Sequence, residues 1–177
     1  MSGLKSHPVI ASEPPSDGIE IVASEAERNA LAAENSLVAV DALTVTVTLT
    51  PGAKGSVTVD GRVVADIVQT CVVSLVPVSQ HIDETFSVKY VREALPQPKP
   101  GAEIVFDAAD PDPPEVLEGP TVDVAALAEE YFVLAIDPYP RAPGAELPPE
   151  LAREGDDKGD SPFAILAGLG RASEPKR

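Results

Sequence analysis

The sequence predicts an α+β domain: an antiparallel, twisted sheet or partly closed β-barrel with one main amphipathic helix and a short N-terminal helix. Three observations support this fold class. Apolar residues recur at every second position over residues 42–91, which is typical of half-buried strands. Over residues 122–136 the apolar spacing changes to three and four, as in a helix that buries one face. Most of the 19 prolines fall outside these two regions, in the connections.

The N-terminal part of the chain is predicted to contain little regular structure. Residues 1–18 are polar and include two adjacent prolines and an Asp-Gly pair, so we expect a flexible arm. Within this arm, Pro8-Val9-Ile10 is compatible with a short edge strand, and residues 19–22 alternate like a brief strand. Ser24 and Glu27 then match a capping box, which predicts a helix over residues 25–35.

The strand region is expected to be a meander. Its first strand alternates threonine with apolar residues at Leu43, Val45, Val47 and Leu49. Residues 57–75 then keep one apolar parity, which is too long a run for one ordinary strand. We expect a bend at Gly61, as a bulge or a three-residue loop, or a bend near residue 68. A turn that leaves His81 in solvent and a strand over residues 85–91 would complete the meander.

A connection, a helix and a tail follow the meander. Residues 94–120 hold seven prolines and are expected to form an acidic insertion within a single domain spanning residues 19–140. Thr121 is predicted to cap a helix over residues 122–136, and the last turns should be its most deeply buried part. Residues 141–177 are expected to form a flexible acidic tail with a short helix over residues 162–169.

The net charge of −16 bears on the class of partner. Acidic residues number 29 against 13 basic ones, and no Lys or Arg occurs between residues 100 and 140, where ten Asp or Glu occur. Nucleic-acid binders display clustered basic residues, because phosphate neutralisation dominates their affinity. Direct binding to nucleic acid is therefore disfavoured, and a basic protein partner is the natural complement. We expect a cytoplasmic protein, since the chain shows no secretory signal and no apolar run long enough to cross a bilayer. We also expect a monomer.

Two segments about fifty residues apart carry a family pattern. The first is a Cys-x-x-(Cys or hydroxyl)-Leu motif followed by an acidic-x-aromatic strand, and the second is a helix with a proline-terminated exit. The motif positions are Cys71, Ser74, Leu75, Glu84, Phe86, Asp123, Leu127, Glu130, Leu134 and Pro138. With the acidic connection between them, these segments resemble the YceD family, the bacterial large-subunit ribosomal RNA accumulation proteins. Residues 140–145 resemble the alphaproteobacterial-type branch of that family.

The resemblance implies a non-enzymatic ribosome-biogenesis factor that supports accumulation or processing of large-subunit ribosomal RNA. We expect it to act through a basic ribosomal protein or a large-subunit assembly intermediate, with no cofactor. Some family members carry extra cysteines and are regarded as metal-binding. This chain has Ser74 at one such place and no cysteine over residues 137–145, so we expect no zinc site. The alternative functions are a small-ligand-binding barrel and a metal-binding protein.

The remaining candidate residues fall into two groups. Cys71 shares the parity of Val73 and Leu75, so we interpret it as a buried core residue and not as a reactive thiol. The candidate partner-binding residues are Asp107, Asp110, Asp112, Glu115, Glu118, Phe163 and Leu166. The acidic members lack the spacing of a calcium-binding loop but could engage a basic protein. The apolar members could dock on a partner, pack back on the domain or stay in a loosely ordered tail.

Overall fold

The computed structural model describes residues 3–92 and 113–146 of the chain. In chain order the elements are strands β1 (Pro8–Ile10) and β2 (Ile19–Val22), helix α1 (Glu25–Glu34), strands β3 (Ala39–Pro51), β4 (Val57–Thr70), β5 (Pro77–Val91), β6 (Glu115–Val116) and β7 (Thr121–Asp123), and helix α2 (Val124–Ala135). A 3-10 turn at Ala53–Gly55 joins β3 to β4. Neither helix is long and apolar enough to span a membrane.

The main sheet is open and has the strand order β2-β3-β4-β5-β6. Strands β2 to β5 are antiparallel, whereas β6 joins β5 in parallel. A small second sheet pairs β1 with β7. The α+β class is therefore confirmed, but the described strands form no closed barrel. The two edge strands, β2 and β6, have only four and two residues and do not pair with each other.

One face of the main sheet packs against both helices and forms a single core. The predicted alternation is confirmed in β3 and β4, where apolar residues on one parity are buried and their neighbours face solvent or are half-buried. Leu31 of α1 and Phe132 of α2 are fully buried in the same cluster. Each fully buried Val, Leu or Phe side chain stabilises the fold by about 1.5–3 kcal/mol. Threonines cover much of the outer face of β3.

Gly61 continues strand β4 without the predicted bulge or loop. Gly61 pairs in register with Val47 on one side and Phe86 on the other. A Cβ atom at Gly61 would lie 2.2 Å from the Phe86 ring, which itself stacks on Tyr131 with centroids 4.4 Å apart. The predicted bend is therefore wrong at this place, because glycine here makes room for a ring and not for a change in chain direction. The register shift of the sheet lies instead between Val40 and Ala42.

The turn between the last two long strands lies earlier than predicted. Strand β4 continues to Thr70, and β5 already begins at Pro77, so His81 belongs to a strand and not to a turn. His81 pairs with Asp66 across the sheet, with 2.7 Å between the imidazole Nδ1 and a carboxylate oxygen. Both side chains are on the exposed face, where polar residues are compatible with a strand.

The N-terminal residues are part of the fold, in contrast to the predicted flexible arm. Leu4, Val9 and Ala11 are buried, and β1 is the short strand that the sequence allowed. The carboxylate of Glu129 in α2 accepts hydrogen bonds from the amides of Gly3 and Leu4, which fixes the N-terminal backbone to the helix. These contacts join residues about 125 positions apart, so no local sequence pattern predicts them.

The described end of the predicted insertion also belongs to the fold. Residues 113–120 contribute strand β6 and the buried side chain of Leu117. The predicted strand near residues 103–106 and the predicted helix over residues 162–169 lie outside the described residues.

Helix α2 begins two residues later than predicted and is capped by Asp123, not Thr121. Thr121 belongs to β7, and one Asp123 carboxylate oxygen accepts hydrogen bonds from the amides of Ala125 and Ala126. The expectation that the last turns are buried most deeply is wrong, because Val133 and Leu134 are exposed. The first two turns contribute most of the buried residues, since these turns also pack against β1.

Candidate partner-binding surface

Two glutamines hold the chain that leaves α2 against the main sheet. Gln69 of β4 donates from Nε2 to the carbonyl of Asp137 (2.8 Å). Gln80 of β5 donates to the carbonyl of Ala135 (2.9 Å) and accepts from the amide of Asp137 (3.1 Å). Both glutamines occupy core-facing positions of their strands, and Gln69 is buried. A polar residue at a core position needs a partner, and this signal could have identified the contact from sequence.

Cys71 is the centre of the contact between the β4–β5 turn and this exit. The Cys71 amide donates to the carbonyl of Val76 (2.8 Å), and the Val72 amide donates to the carbonyl of Pro140 (2.9 Å). The buried Cys71 sulfur accepts hydrogen bonds from the amides of Val73 (3.4 Å), Ser74 (3.3 Å) and Ala142 (3.3 Å). Cys71 is buried as predicted, and it also joins two segments of chain as an acceptor.

These donors favour the thiolate form of Cys71. The Ala142 amide, followed by the Ser74 hydroxyl and amide, lowers the pKa of Cys71 to about 6 although burial acts in the opposite direction. The sulfur is closed off from solvent, so this arrangement stabilises a negative charge inside the fold without presenting a nucleophile to substrates.

The residues around Cys71 do not have the arrangement of a tetrahedral zinc site. Tetrahedral zinc needs about four thiolate, imidazole or carboxylate ligands. Among the described residues no group of three or more His, Cys, Asp or Glu is arranged to hold a metal. The Cys71 sulfur instead faces three amide hydrogens, which complement an anion and repel a cation.

The turn beside Cys71 exposes apolar side chains. Leu75 is 75% exposed and has a φ of 60°, in the left-handed region, which costs a non-glycine residue about 1–2 kcal/mol. Tyr139, on the exit segment that the turn contacts, is 73% exposed. Glycine in place of Leu75 would avoid both the strain and the exposed apolar surface. The fold therefore gains nothing evident from the leucine side chain.

The family-motif positions divide into structural and exposed residues. Phe86 and Leu127 are core residues, and Ser74 supports Cys71. Asp123 caps α2 and accepts hydrogen bonds from the Ser6 hydroxyl (2.6 Å) and the His7 amide (2.9 Å). Burial raises the pKa of Asp123, but these hydrogen bonds outweigh it and lower the pKa overall.

The other motif side chains, apart from the core-packed Cys71, are exposed. They are Leu75, Glu84, Glu130, Leu134 and Pro138. Because the fold does not bury them, they are the motif positions open to a partner.

Three acidic side chains come together where β6 meets α2, and we call Glu115, Glu118 and Glu130 the acidic edge. Burial, with the Glu115 carboxylate and then Glu130, raises the pKa of Tyr90 to about 12, so both carboxylates lie near that phenol. Glu118 and Glu130 line the same cleft, of about 270 Å³. Arg92 is also at this edge, but its guanidinium donates to the carbonyl of Gly119 (2.6 Å). The sequence predicted Glu115 and Glu118 as partner-binding residues but not their proximity to Glu130.

An exposed apolar strip runs along the outer side of α2 from the acidic edge. The α2 strip consists of Ala126, Glu130, Val133 and Leu134. At 3.6 residues per turn these four positions fall within about 100° of the helix circumference and therefore lie on one side. With Glu129 they line a mainly apolar groove of about 400 Å³. Leu134 is 72% exposed. The other predicted partner-binding residues, Asp107, Asp110, Asp112, Phe163 and Leu166, lie outside the described residues.

Comparison with known proteins identifies the family. Residues 59–170, more than half of the chain, match the family model described as large ribosomal RNA subunit accumulation protein YceD. The chain belongs to the YceD family. The match begins in β4 and includes the Cys71 turn, the acidic edge and the α2 strip, so the candidate surface is part of the YceD region. Searches of curated proteins and of solved structures give no match. The alphaproteobacterial-type branch stays a prediction.

Proposed function

We propose that this YceD-family protein is a non-enzymatic ribosome-biogenesis factor. It supports accumulation or processing of large-subunit ribosomal RNA by binding a basic ribosomal protein or a large-subunit assembly intermediate. The family description supports the connection with ribosomal RNA. The acidic edge supports binding through protein, because a cluster of carboxylates repels phosphate and attracts Lys and Arg side chains.

The alternative of a small-ligand-binding barrel is not favoured. The described sheet is open, and three clefts lined by described residues of the sheet and of α2 are shallow and face solvent. Small-molecule sites are usually deep enough to bury most of the ligand. A metal-binding function is not favoured, because the Cys71 sulfur faces three amide hydrogens and the described residues bring no further metal ligands to it.

Affinity capture from the native host tests the proposal. The tagged protein should retain ribosomal proteins, and Glu115→Lys combined with Glu118→Lys should reduce their yield. A matched control is Glu13→Lys combined with Glu20→Lys, which changes the net charge equally at exposed positions outside the acidic edge. Raising the salt from about 0.15 M to about 0.5 M should weaken capture by the unchanged protein, because screening shortens the range of exposed charges. Equal capture by both double variants would count against the proposal.

A further inference from the structure

We propose that the α2 strip is the docking site for an amphipathic, cationic segment of that basic partner. In this arrangement the apolar side of the segment covers Val133 and Leu134, and its Lys or Arg side chains reach Glu130 and the acidic edge. This inference rests on the proposed function and adds the position and chemistry of the contact.

The composition of α2 supports a covered outer side. Only two of its twelve residues, Glu129 and Glu130, are charged, whereas a surface helix normally has a charged or polar outer side. The inner side is already buried by the core through Val124, Leu127, Ala128 and Phe132. The outer side nevertheless exposes Val133 and Leu134. A contiguous exposed apolar surface with a polar border is the usual mark of an interaction site.

The charges around the strip select the kind of segment. Helix α2 carries no Lys or Arg. Glu130 belongs to the strip itself, Glu118 lines the adjoining cleft with Ala126 and Glu130, and Glu115 lies with Glu130 near the Tyr90 phenol. Lys and Arg can lay their aliphatic stems on apolar surface while their charged ends reach carboxylates. A segment with alternating apolar and cationic positions therefore satisfies both parts of the surface, as in helix-in-groove recognition.

Two other occupants fit less well. The chain's own apolar residues 161–170 lie between Lys158 and Arg171, but Asp156, Asp157 and Asp160 precede them, so this segment would bring further carboxylates to an acidic surface. A second copy of the protein would bring another net charge of −16 to an acidic surface. The cationic segment of another protein is the occupant that both the apolar and the acidic residues favour.

A synthetic peptide tests the surface directly. The probe is a fluorescent peptide of leucine and lysine whose leucines follow the spacing of one helical face, and its control has the same composition in scrambled order. Binding to the full-length protein is measured by fluorescence anisotropy. We expect the patterned peptide to bind, and Leu134→Ser to weaken it at least about tenfold. The control is Val22→Ser, which removes a similarly exposed apolar side chain (65%) from an edge strand elsewhere and should leave affinity unchanged.

Four results would overturn the inference. Equal binding of the scrambled peptide would show that charge alone is recognised, and equal binding by Leu134→Ser would place the contact elsewhere. Peptide binding that appears only after Phe163→Ser and Leu166→Ser would identify the chain's own tail as the occupant. Self-association that is lost in Leu134→Ser and that excludes the peptide would identify a second copy.

Failure of this inference can be distinguished from failure of the proposed function. The ratio of large- to small-subunit ribosomal RNA in the native host reports the function, whereas peptide binding reports the surface. If deletion of the protein lowers the ratio and Leu134→Ser restores it fully, the surface is wrong and the function stands. If deletion leaves the ratio unchanged, the proposed function is wrong whatever the peptide does.

Discussion

Replacing Gly61 by alanine tests the packing that connects the sheet to α2. The added Cβ would lie 2.2 Å from the nearest atom of the Phe86 ring and within 2.7 Å of two others. The ring cannot move away freely, because it stacks on Tyr131 at 4.4 Å with an interplanar angle of 11°. Overpacking of this kind costs about 1–3 kcal/mol, and disturbing the aromatic pair adds about 0.5–1.5 kcal/mol. Alanine restricts the unfolded chain and returns about 0.4–1 kcal/mol.

We therefore expect Gly61→Ala to lower the free energy of unfolding by about 2 kcal/mol. For a domain of this size that corresponds to a fall in Tm of about 4–8 °C. Urea unfolding followed by circular dichroism measures the change. The matched control is Gly119→Ala, whose added Cβ would meet no atom within 4 Å and which should stay within about 0.5 kcal/mol of the unchanged protein.

A double-mutant cycle shows whether the ring is the cause. In a Phe86→Leu background the added methyl group meets no ring, so the cost of Gly61→Ala should fall by more than about 0.5 kcal/mol. An additive result, or a Gly61→Ala protein as stable as the original, would refute the packing described here.

Three further predictions concern the Asp123 cap of α2, the hydrogen bonds of Cys71 and the backbone conformation of Leu75. Asp123→Ala should lower the free energy of unfolding by about 2 kcal/mol, through loss of the helix cap and of the bonds to Ser6 and His7, and hydrogen exchange should quicken in β1. The Cys71 pKa of about 6 lies below the pKa of a thiol in the unfolded chain, about 8.5. The thiolate should therefore increase the free energy of unfolding as the pH rises from about 6 to about 8.5. This contribution should be lost as the pH falls through about 6. The Tm difference between the original and Cys71→Ala proteins should accordingly grow with pH over that range. Leu75→Gly should raise the free energy of unfolding by about 0.5–1 kcal/mol, because glycine relieves the positive φ.

Each of these predictions has a result that contradicts it. Asp60→Asn, at an exposed position on β4, should be nearly neutral, and an equal loss there would remove the special role of Asp123. A Tm difference at Cys71 that is constant between pH 6 and 8.5 would mean that the amides do not hold a thiolate. A loss of stability in Leu75→Gly would show that the leucine packs within the fold and is not available to a partner.

The parts of the fold that the sequence predicted depend on local periodicity. Alternation of Thr with Leu43 and Val45 predicted β3, and the shared parity of Val57 and Val63 predicted the buried face of β4. Both patterns follow from the pleat of a strand, in which successive side chains point to opposite faces. The capping box at Ser24 and Glu27 was recognisable for the same reason, since it involves residues three apart.

The errors come from contacts between distant parts of the chain. Asp123 rather than Thr121 caps α2 because Thr121 pairs with Ile10 in the small sheet, and that pairing joins residues over one hundred positions apart. A bulge was predicted at Gly61 because the residues next to it in sequence do not show why a glycine is needed. The reason is the ring of Phe86, which comes from the neighbouring strand and fills the space above Gly61.

The candidate surface was predicted only in part. The charge pattern indicated Glu115 and Glu118, and the family pattern included Glu130 and Leu134. The proximity of these residues depends on the parallel pairing of β6 with β5. A strand of two residues is too short to give a sequence pattern that predicts such a pairing. The helical spacing also led to the prediction that the last turns of α2 are buried, which would place Leu134 in the core. Leu134 is exposed, because an apolar residue on the outer side of a helix can follow the same spacing as a buried one.

The ratio of large- to small-subunit ribosomal RNA in the native host tests the central claim most directly. Deletion should lower the ratio, the unchanged protein should restore it, and Glu115→Lys combined with Glu118→Lys should fail to do so at equal protein abundance. An unaltered ratio after deletion would contradict the role in ribosome biogenesis, and full restoration by the charge-reversed protein would contradict the role of the acidic edge.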